Sequence, residues 1–162
     1  MKMMIKKISM IVSTALIVTM LTTSMDIEAK TPPQEYIDYI EGVCETYDVS
    51  PALIQSIIFH ESSWCTAVTS PSGNHIGLMQ ISPSSHRARM KRLGVTDLTN
   101  GYQNIMVGVD YIAELFAEYH DPAQVLDAYN GQLHSDEWYE AGNMSKYSRR
   151  ILETAELIED KE

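Results

Sequence analysis

The sequence is short of basic residues. It has 12 lysines and arginines against 22 aspartates and glutamates, which gives a formal net charge of −10. Proteins that bind nucleic acid normally carry a basic surface, so this class of partner is excluded. The one basic run, HRARMKR at residues 86–92, is interpreted as the solvated face of a short helix, which could still touch an anionic polymer.

An apolar run long enough to span a membrane is also lacking. The longest candidate, residues 8–21, has 14 residues, whereas a spanning helix needs about 20. This run follows the basic start MKMMIKK and ends before TTSMDIEA, which is the layout of a secretory signal peptide. We predict a signal peptide over residues 1–29, with an uncleaved N-terminal anchor as the alternative because IEA is a mediocre cleavage site. The protein is therefore expected to be secreted or associated with the cell envelope.

Only two cysteines are present, Cys44 and Cys65. Neither follows the apolar run, which argues against a lipid-anchored form. An even count in an exported chain is typical of a disulfide. Two buried free thiols are the alternative, and the sequence leaves both open.

Metal-binding and serine-hydrolase patterns are missing. His60 and Glu61 begin a metalloprotease-like pair, but the second histidine would have to stand at position 64, which is Trp64. The other histidines are scattered, and no G-x-S-x-G segment is present. We expect no metal and no cofactor.

Repeats and low-complexity linkers are absent after residue 33, and helical patterns recur to the end. They predict one mostly α-helical domain of five or six helices over residues 33–158, followed by an acidic tail, 159–162. Helix starts are predicted at Thr31 with its two prolines, Ser50-Pro51, Ser82-Pro83, residue 100, Pro122 and Ser145. Residues 63–76 and 131–144 are predicted to be irregular, and IGLMQIS is the one candidate for a minimal strand or a tight turn.

The predicted helix that begins at Ser50 carries an acid on its apolar side. Ile54 and Ile57 belong to a stripe of helical spacing, and Glu61 continues it near the helix C-terminus. Apolar neighbours and the negative end of the helix dipole both disfavour a carboxylate there. A carboxyl group that keeps its proton near neutral pH can serve as a general acid. The alternative is a side chain that reaches out to water from the helix end.

Four motifs stand in order along the chain: HESSW at 60–64, GLMQIS at 77–82, AYN at 128–130 and YSRRIL at 147–152. In order and approximate spacing they resemble the lytic transglycosylases, which are relatives of goose-type lysozyme of the glycoside hydrolase family twenty-three type. The resemblance covers roughly residues 35 to 155. It implies a lysozyme-like fold and a peptidoglycan-cleaving activity.

The resemblance also implies roles for single residues. Glu61 matches the one catalytic acid. The residues that match the substrate-binding segments are Ser62, Gly77, Leu78, Met79, Gln80, Tyr129, Asn130 and Tyr147. Each assignment has a structural alternative. Gln80 and Asn130 could instead satisfy backbone groups in a turn, and Met79 could pack in the core. Tyr129 and Tyr147 could be helix-packing residues. Trp64 is expected to pack over Glu61, with stacking on a sugar ring as the alternative.

Two departures from the family pattern affect the glycan-binding groove that the resemblance implies. The loop between Gly73 and Gly77 reads NHI, one residue longer than the common pattern, and GQ replaces the usual Ala-Gly after AYN. Subsite preferences are therefore open, but neither change removes the acid.

The motifs supply a single acid, since Asp97 is interpreted as a turn cap and Asp110 and Asp127 are predicted on outer helix faces. The resemblance implies cleavage of the β-1,4 bond after N-acetylmuramic acid with formation of a 1,6-anhydro end. A goose-type lysozyme that hydrolyses the same bond and a non-catalytic wall-binding domain are the alternatives. The expected partner is the glycan strand of peptidoglycan, and the expected oligomeric state is a monomer. For the biological role, wall remodelling, phage lysis and work with a secretion or conjugation machinery are all compatible with the sequence.

Overall fold

The computed structural model describes residues 31–161, so the predicted signal peptide lies outside the described residues. Within them the chain forms seven α-helices and no strand, which confirms the mostly α-helical prediction. The helices are α1 Gln34–Tyr47, α2 Pro51–Ser62, α3 Arg87–Leu93, α4 Gly101–Tyr119, α5 Pro122–Tyr129, α6 Asp136–Glu140 and α7 Lys146–Glu159. No helix in this part of the chain is both long and apolar enough to cross a bilayer.

Four helices start where the sequence predicted, each with a side chain that caps its first turn. Ser50 Oγ accepts a hydrogen bond from the Leu53 N–H at the start of α2. Asn100, Asp121 and Ser145 cap α4, α5 and α7 in the same way. These caps satisfy backbone N–H groups that have no partner inside the helix.

Helix α1 begins at Gln34, after the start predicted at Thr31, and no side chain caps it. Two further elements differ from the prediction. Helix α3 begins at Arg87 rather than at Ser82-Pro83, because Ser82 to His86 form a turn in which Ser82 Oγ accepts from Ser85. The second difference is α6, a five-residue helix inside the segment predicted to be irregular. It is too short to show a hydrophobic period.

Helix α2 runs through the centre of the domain. Every residue from Ala52 to Ile58 is buried. Helix α7 packs directly on it, with Ser56 Oγ donating to the Ile151 carbonyl at 2.7 Å and His60 Nε2 lying 2.9 Å from Thr154 Oγ1. This packing brings the N-terminal turn of α7 beside the C-terminal end of α2.

The GLMQ segment is a tight turn rather than a strand. Ile76 and Ile81 exchange backbone hydrogen bonds at 3.0 Å in both directions. The buried Asn104 of α4 holds the turn: its Oδ1 accepts from Met79 N–H, and its Nδ2 donates to the Ile76 and Leu98 carbonyls. Gly77 lies at φ +79° against Asn104 and the Leu98 carbonyl, so no side chain fits there.

The prediction that Asp110 and Asp127 lie on outer helix faces is wrong, because both are buried. Asp110 accepts hydrogen bonds from Arg89 and Arg92 and so fastens α3 to α4. Asp127 accepts from the hydroxyls of Tyr139 and Ser145 and so ties α5 to the segment before α7. Asp97 caps a turn, as predicted, by accepting from Thr99.

The two cysteines are not joined. Cys44 is buried in α1 and Cys65 is half-buried after α2, and both are free thiols. Burial raises the pKa of the Cys44 thiol to about 12, which makes it a poor nucleophile. Of the two alternatives from the sequence, the structure has free thiols in place of a disulfide.

Candidate active site

Glu61 is the second-last residue of α2 and is half-buried. The chain leaves the helix sharply after it, since Ser63 and Trp64 both have positive φ, at 48° and 64°. The hydroxyl of Tyr147, in the first turn of α7, donates to Glu61 Oε1 at 2.6 Å. The carboxyl group is therefore held by one fixed donor between two helix ends.

The pKa of Glu61 is raised above its ordinary value, chiefly because burial disfavours the charged form. The Tyr147 hydrogen bond and the charges of His75 and Arg150 act in the opposite direction without cancelling the effect of burial. In turn, burial and the nearby Glu61 charge raise the pKa of Tyr147, so this hydroxyl stays a donor.

A pocket of about 280 Å³ opens over this carboxyl. Four of the predicted site residues line it, and the loop before the GLMQ turn supplies two more. The lining residues are Glu61, Ser70, His75, Gln80, Tyr129 and Asn130. Within residues 31–161 Glu61 is thus the one carboxyl of this pocket.

Two of these residues are fixed by backbone hydrogen bonds. Gln80 has φ 48°, and its Nε2 donates to the carbonyls of Val68 and Gly77, which leaves the amide oxygen as its group for a ligand. Tyr129 OH donates to the Met79 carbonyl at 2.5 Å. Asn130 ends α5 and is exposed, so its amide is open to a ligand.

Other predicted residues shape the pocket without lining it. Ser62 is buried, and its hydroxyl donates to the Ile58 carbonyl at 3.1 Å. Gly77, Leu78 and Met79 are all buried in the turn that carries Gln80. Trp64 is also buried, close in sequence to the acid.

Ser70, His75 and Arg150 were not singled out from the sequence. Ser70 and His75 lie in the loop after α2, where no periodic pattern fixes the direction of a side chain. Arg150 lies one helical turn after Tyr147 on α7, so the i, i+3 spacing from a predicted site residue could have found it.

Fold and pocket together define a helical domain that presents the half-buried Glu61 carboxyl to a pocket at the end of its central helix. Residues 38–150 match the model of the family described as Transglycosylase SLT domain. The match covers more than half of the sequence, and the chain belongs to this family. The resemblance found in the four motifs is thereby confirmed.

The chain spans less than half the length of two proteins to which it is similar. The membrane-bound lytic murein transglycosylase E of Buchnera aphidicola subsp. Acyrthosiphon pisum (strain APS) is 39% identical over 85 residues, which cover 48% of this chain and 38% of that protein. An X-ray structure of an inactive mutant of the lytic transglycosylase Slt from Pseudomonas aeruginosa aligns with a TM-score of 0.66 at 18% identity. That alignment covers 80% of this chain and 24% of the solved chain, and at this identity it shows the shared fold.

Proposed function

We propose that the protein is an exported peptidoglycan lytic transglycosylase that cleaves the β-1,4 bond between N-acetylmuramic acid and N-acetylglucosamine. The observation that carries the proposal is the half-buried Glu61 carboxyl with its raised pKa, open to a pocket and held by Tyr147. Membership of the family supports the choice of reaction. The N-terminal sequence supports export, and residues 33–158 are proposed as the catalytic domain.

In the proposed reaction Glu61 first acts as an acid. Tyr147 donates to Oε1, so the transferable proton is assigned to Oε2. Glu61 gives this proton to the glycosidic oxygen as it leaves C1 of the muramic acid residue. The 2-acetamido group of that sugar stabilises the cation-like centre at C1.

Glu61 then acts as a base. The carboxylate takes the proton of the sugar's own C6 hydroxyl, and the C6 oxygen attacks C1 to close a 1,6-anhydro ring. Most glycosidases use two carboxyl groups, whereas this pocket offers one within the described residues. A nucleophile that is already attached to the sugar removes the need for a second carboxylate, because the attack is intramolecular.

The Glu61→Gln variant tests the assignment. We expect it to abolish the solubilisation of purified peptidoglycan, while mass spectrometry of wild-type digests shows 1,6-anhydro ends. Reducing ends would instead identify a hydrolase of the goose-lysozyme type. Cleavage that persists in Glu61→Gln would overturn the role of Glu61, and wall binding without cleavage by the wild type would leave a non-catalytic domain.

The same variant should keep its fold. A carboxyl whose pKa is raised on folding stabilises the protein fully only below its unfolded pKa, and this contribution is lost as the pH rises through the folded pKa. At pH 7 the neutral amide introduced by Glu61→Gln avoids that loss. The thermal midpoint of Glu61→Gln at pH 7 should therefore equal or exceed that of the wild type, so a loss of activity reports chemistry.

A further inference from the structure

A second pocket, of about 590 Å³, lies on the other side of the loop that borders the candidate active site. Ser70 and His75 of this loop line the active-site pocket, while Gly73 and Asn74 line the second one. The remaining wall comes from the turn before α3, from α3 itself and from the residues after it. One short loop thus separates the two pockets.

Two cations line this pocket and, among residues 31–161, no carboxylate does. Arg87 and Lys91 stand four residues apart and therefore on one face of α3. Asn74, Ser84 and Thr96 add polar side chains to the lining. Among the described residues, the charged side chains of this lining are thus both positive, in a chain whose net charge is −10.

The basic residues of α3 divide into two sets with different partners. Arg89 and Arg92 form ion pairs with the buried Asp110, and Arg89 also pairs with Glu114. Within residues 31–161 no ion pair uses Arg87 or Lys91. The first set fastens the helix to α4, and the second set is left with its charge directed to solvent and pocket.

We propose that this second pocket binds a carboxylate of the peptide stem carried by the glycan strand. The inference rests on the proposed function, because peptidoglycan carries its stem peptides on the lactyl groups of muramic acid residues. A strand that lies over Glu61 brings its stem peptides next to the active-site pocket and the loop that borders it. Arg87 and Lys91 supply the charge-assisted donors, and a pocket of this volume is large enough for a peptide segment.

The test compares two substrates and two double variants. The substrates are purified peptidoglycan and glycan strands from which an amidase has removed the stem peptides. Arg87→Gln/Lys91→Gln removes both pocket cations. Arg149→Gln/Lys161→Gln removes one arginine and one lysine from exposed positions outside both pockets and serves as the matched control.

We expect Arg87→Gln/Lys91→Gln to lose about fivefold in kcat/KM on peptidoglycan, since ion pairs at exposed sites are modest. On stem-free strands it should equal the wild type, and the control should equal the wild type on both substrates. Equal activity on peptidoglycan, or an equal loss on both substrates, would overturn the proposal. A third arm uses peptidoglycan stripped of wall phosphate polymers by hydrofluoric acid; if the difference vanishes there, the ligand is the polymer and the stem-peptide assignment is wrong.

Failure of this inference is distinct from failure of the proposed function. If the wild-type protein cleaves neither substrate, the enzymatic assignment itself has failed. If it cleaves both and the pocket variant matches it on peptidoglycan, only the stem-peptide site is lost. Thermal midpoints of the two double variants, measured alongside, should agree with the wild type because the Asp110 ion pairs are intact in both.

Discussion

At the scale of single residues, Glu61 and Tyr147 act as a pair whose members stand 86 residues apart in the sequence. The tyrosine hydroxyl donates to Oε1, and this bond favours the ionised carboxylate, while burial favours the neutral acid. Burial is the larger influence, so the pKa is raised. The pKa of Glu61 therefore lies between that of a free glutamate and that of a buried glutamate without this hydrogen bond.

The Tyr147→Phe variant should shift the pH dependence in a defined direction. Activity that needs the protonated acid falls as the pH rises through the pKa of Glu61. Removal of the hydrogen bond takes away an influence that lowers this pKa, so the alkaline limb should move to higher pH. We also expect kcat to fall about tenfold at the optimum, because the carboxyl loses its fixed orientation.

The measurement is a pH–rate profile with solubilised peptidoglycan as the readout, and Tyr129→Phe is the matched control. Tyr129 lines the same pocket, but its hydroxyl donates to the Met79 carbonyl and not to the acid. Its profile should keep the wild-type alkaline limb. A limb that stays in place or moves to lower pH in Tyr147→Phe would contradict the electrostatic account.

At the scale of elements, α4 determines the position of the GLMQ turn through one side chain. Asn104 is fully buried and uses its amide on three backbone groups, at 2.8 Å to Met79 N–H, 2.8 Å to the Ile76 carbonyl and 2.9 Å to the Leu98 carbonyl. Gln80, at the end of the turn, lines the pocket. The helix therefore acts on the site through the backbone of the turn.

Asn104→Ala should destabilise the protein by about 3 kcal/mol, because it leaves buried backbone groups without partners. Activity should fall at temperatures where the variant is still folded, since Asn104 no longer holds the turn that carries Gln80. Urea unfolding, together with peptidoglycan cleavage measured well below the thermal midpoint, would separate the two effects.

The neighbouring Gln103→Ala variant is the control for this helix. In the wild type, the Gln103 amide oxygen accepts hydrogen bonds from the backbone N–H groups of Thr96 and Asp97 at exposed positions, so water can replace it. We expect a cost below about 1 kcal/mol and full activity. A similar cost for both variants would show that the turn does not depend on Asn104.

The sequence predicted the helices that have a cap and an apolar period, because both signals are local. Ser50 with Pro51 and Ser145 are correct starts for this reason. The burial of Asp127 could not be predicted in the same way. Its partners, Tyr139 and Ser145, lie 12 and 18 residues away, and neither belongs to the helix that carries the aspartate.

The candidate site likewise has residues that motifs predict and residues that no local pattern predicts. Glu61, Gln80, Tyr129 and Asn130 stand in recognisable motifs, and the structure brings them to one pocket. Ser70 and His75 reach it from a loop without a repeating pattern. The Gln80 amide nitrogen donates to the Gly77 carbonyl in the turn and to the Val68 carbonyl outside it, and no spacing rule indicates this.

At the scale of the whole molecule, the candidate site depends on contacts between distant parts of the chain. Helix α2 supplies Glu61, and α7 supplies Tyr147, 86 residues later. The two helices are joined by the Ser56–Ile151 hydrogen bond and by His60 with Thr154. The part of α7 beyond Tyr147 thus holds this helix against α2 and so fixes the position of Tyr147.

This dependence predicts where the catalytic unit ends. The family match stops at residue 150, yet α7 continues to Glu159 and buries Ile151 completely. Loss of one fully buried isoleucine side chain alone costs about 2–5 kcal/mol.

A chain that ends at residue 150 also loses the partners of Ser56 and His60, so it should fail to unfold cooperatively and should not cleave peptidoglycan. A chain that ends at residue 160 keeps all of these contacts and should match the 162-residue chain in thermal midpoint, followed by circular dichroism, and in activity. If the chain that ends at 150 were stable and active, the second half of α7 would be dispensable and the proposed domain limit of residue 158 would have to move inward.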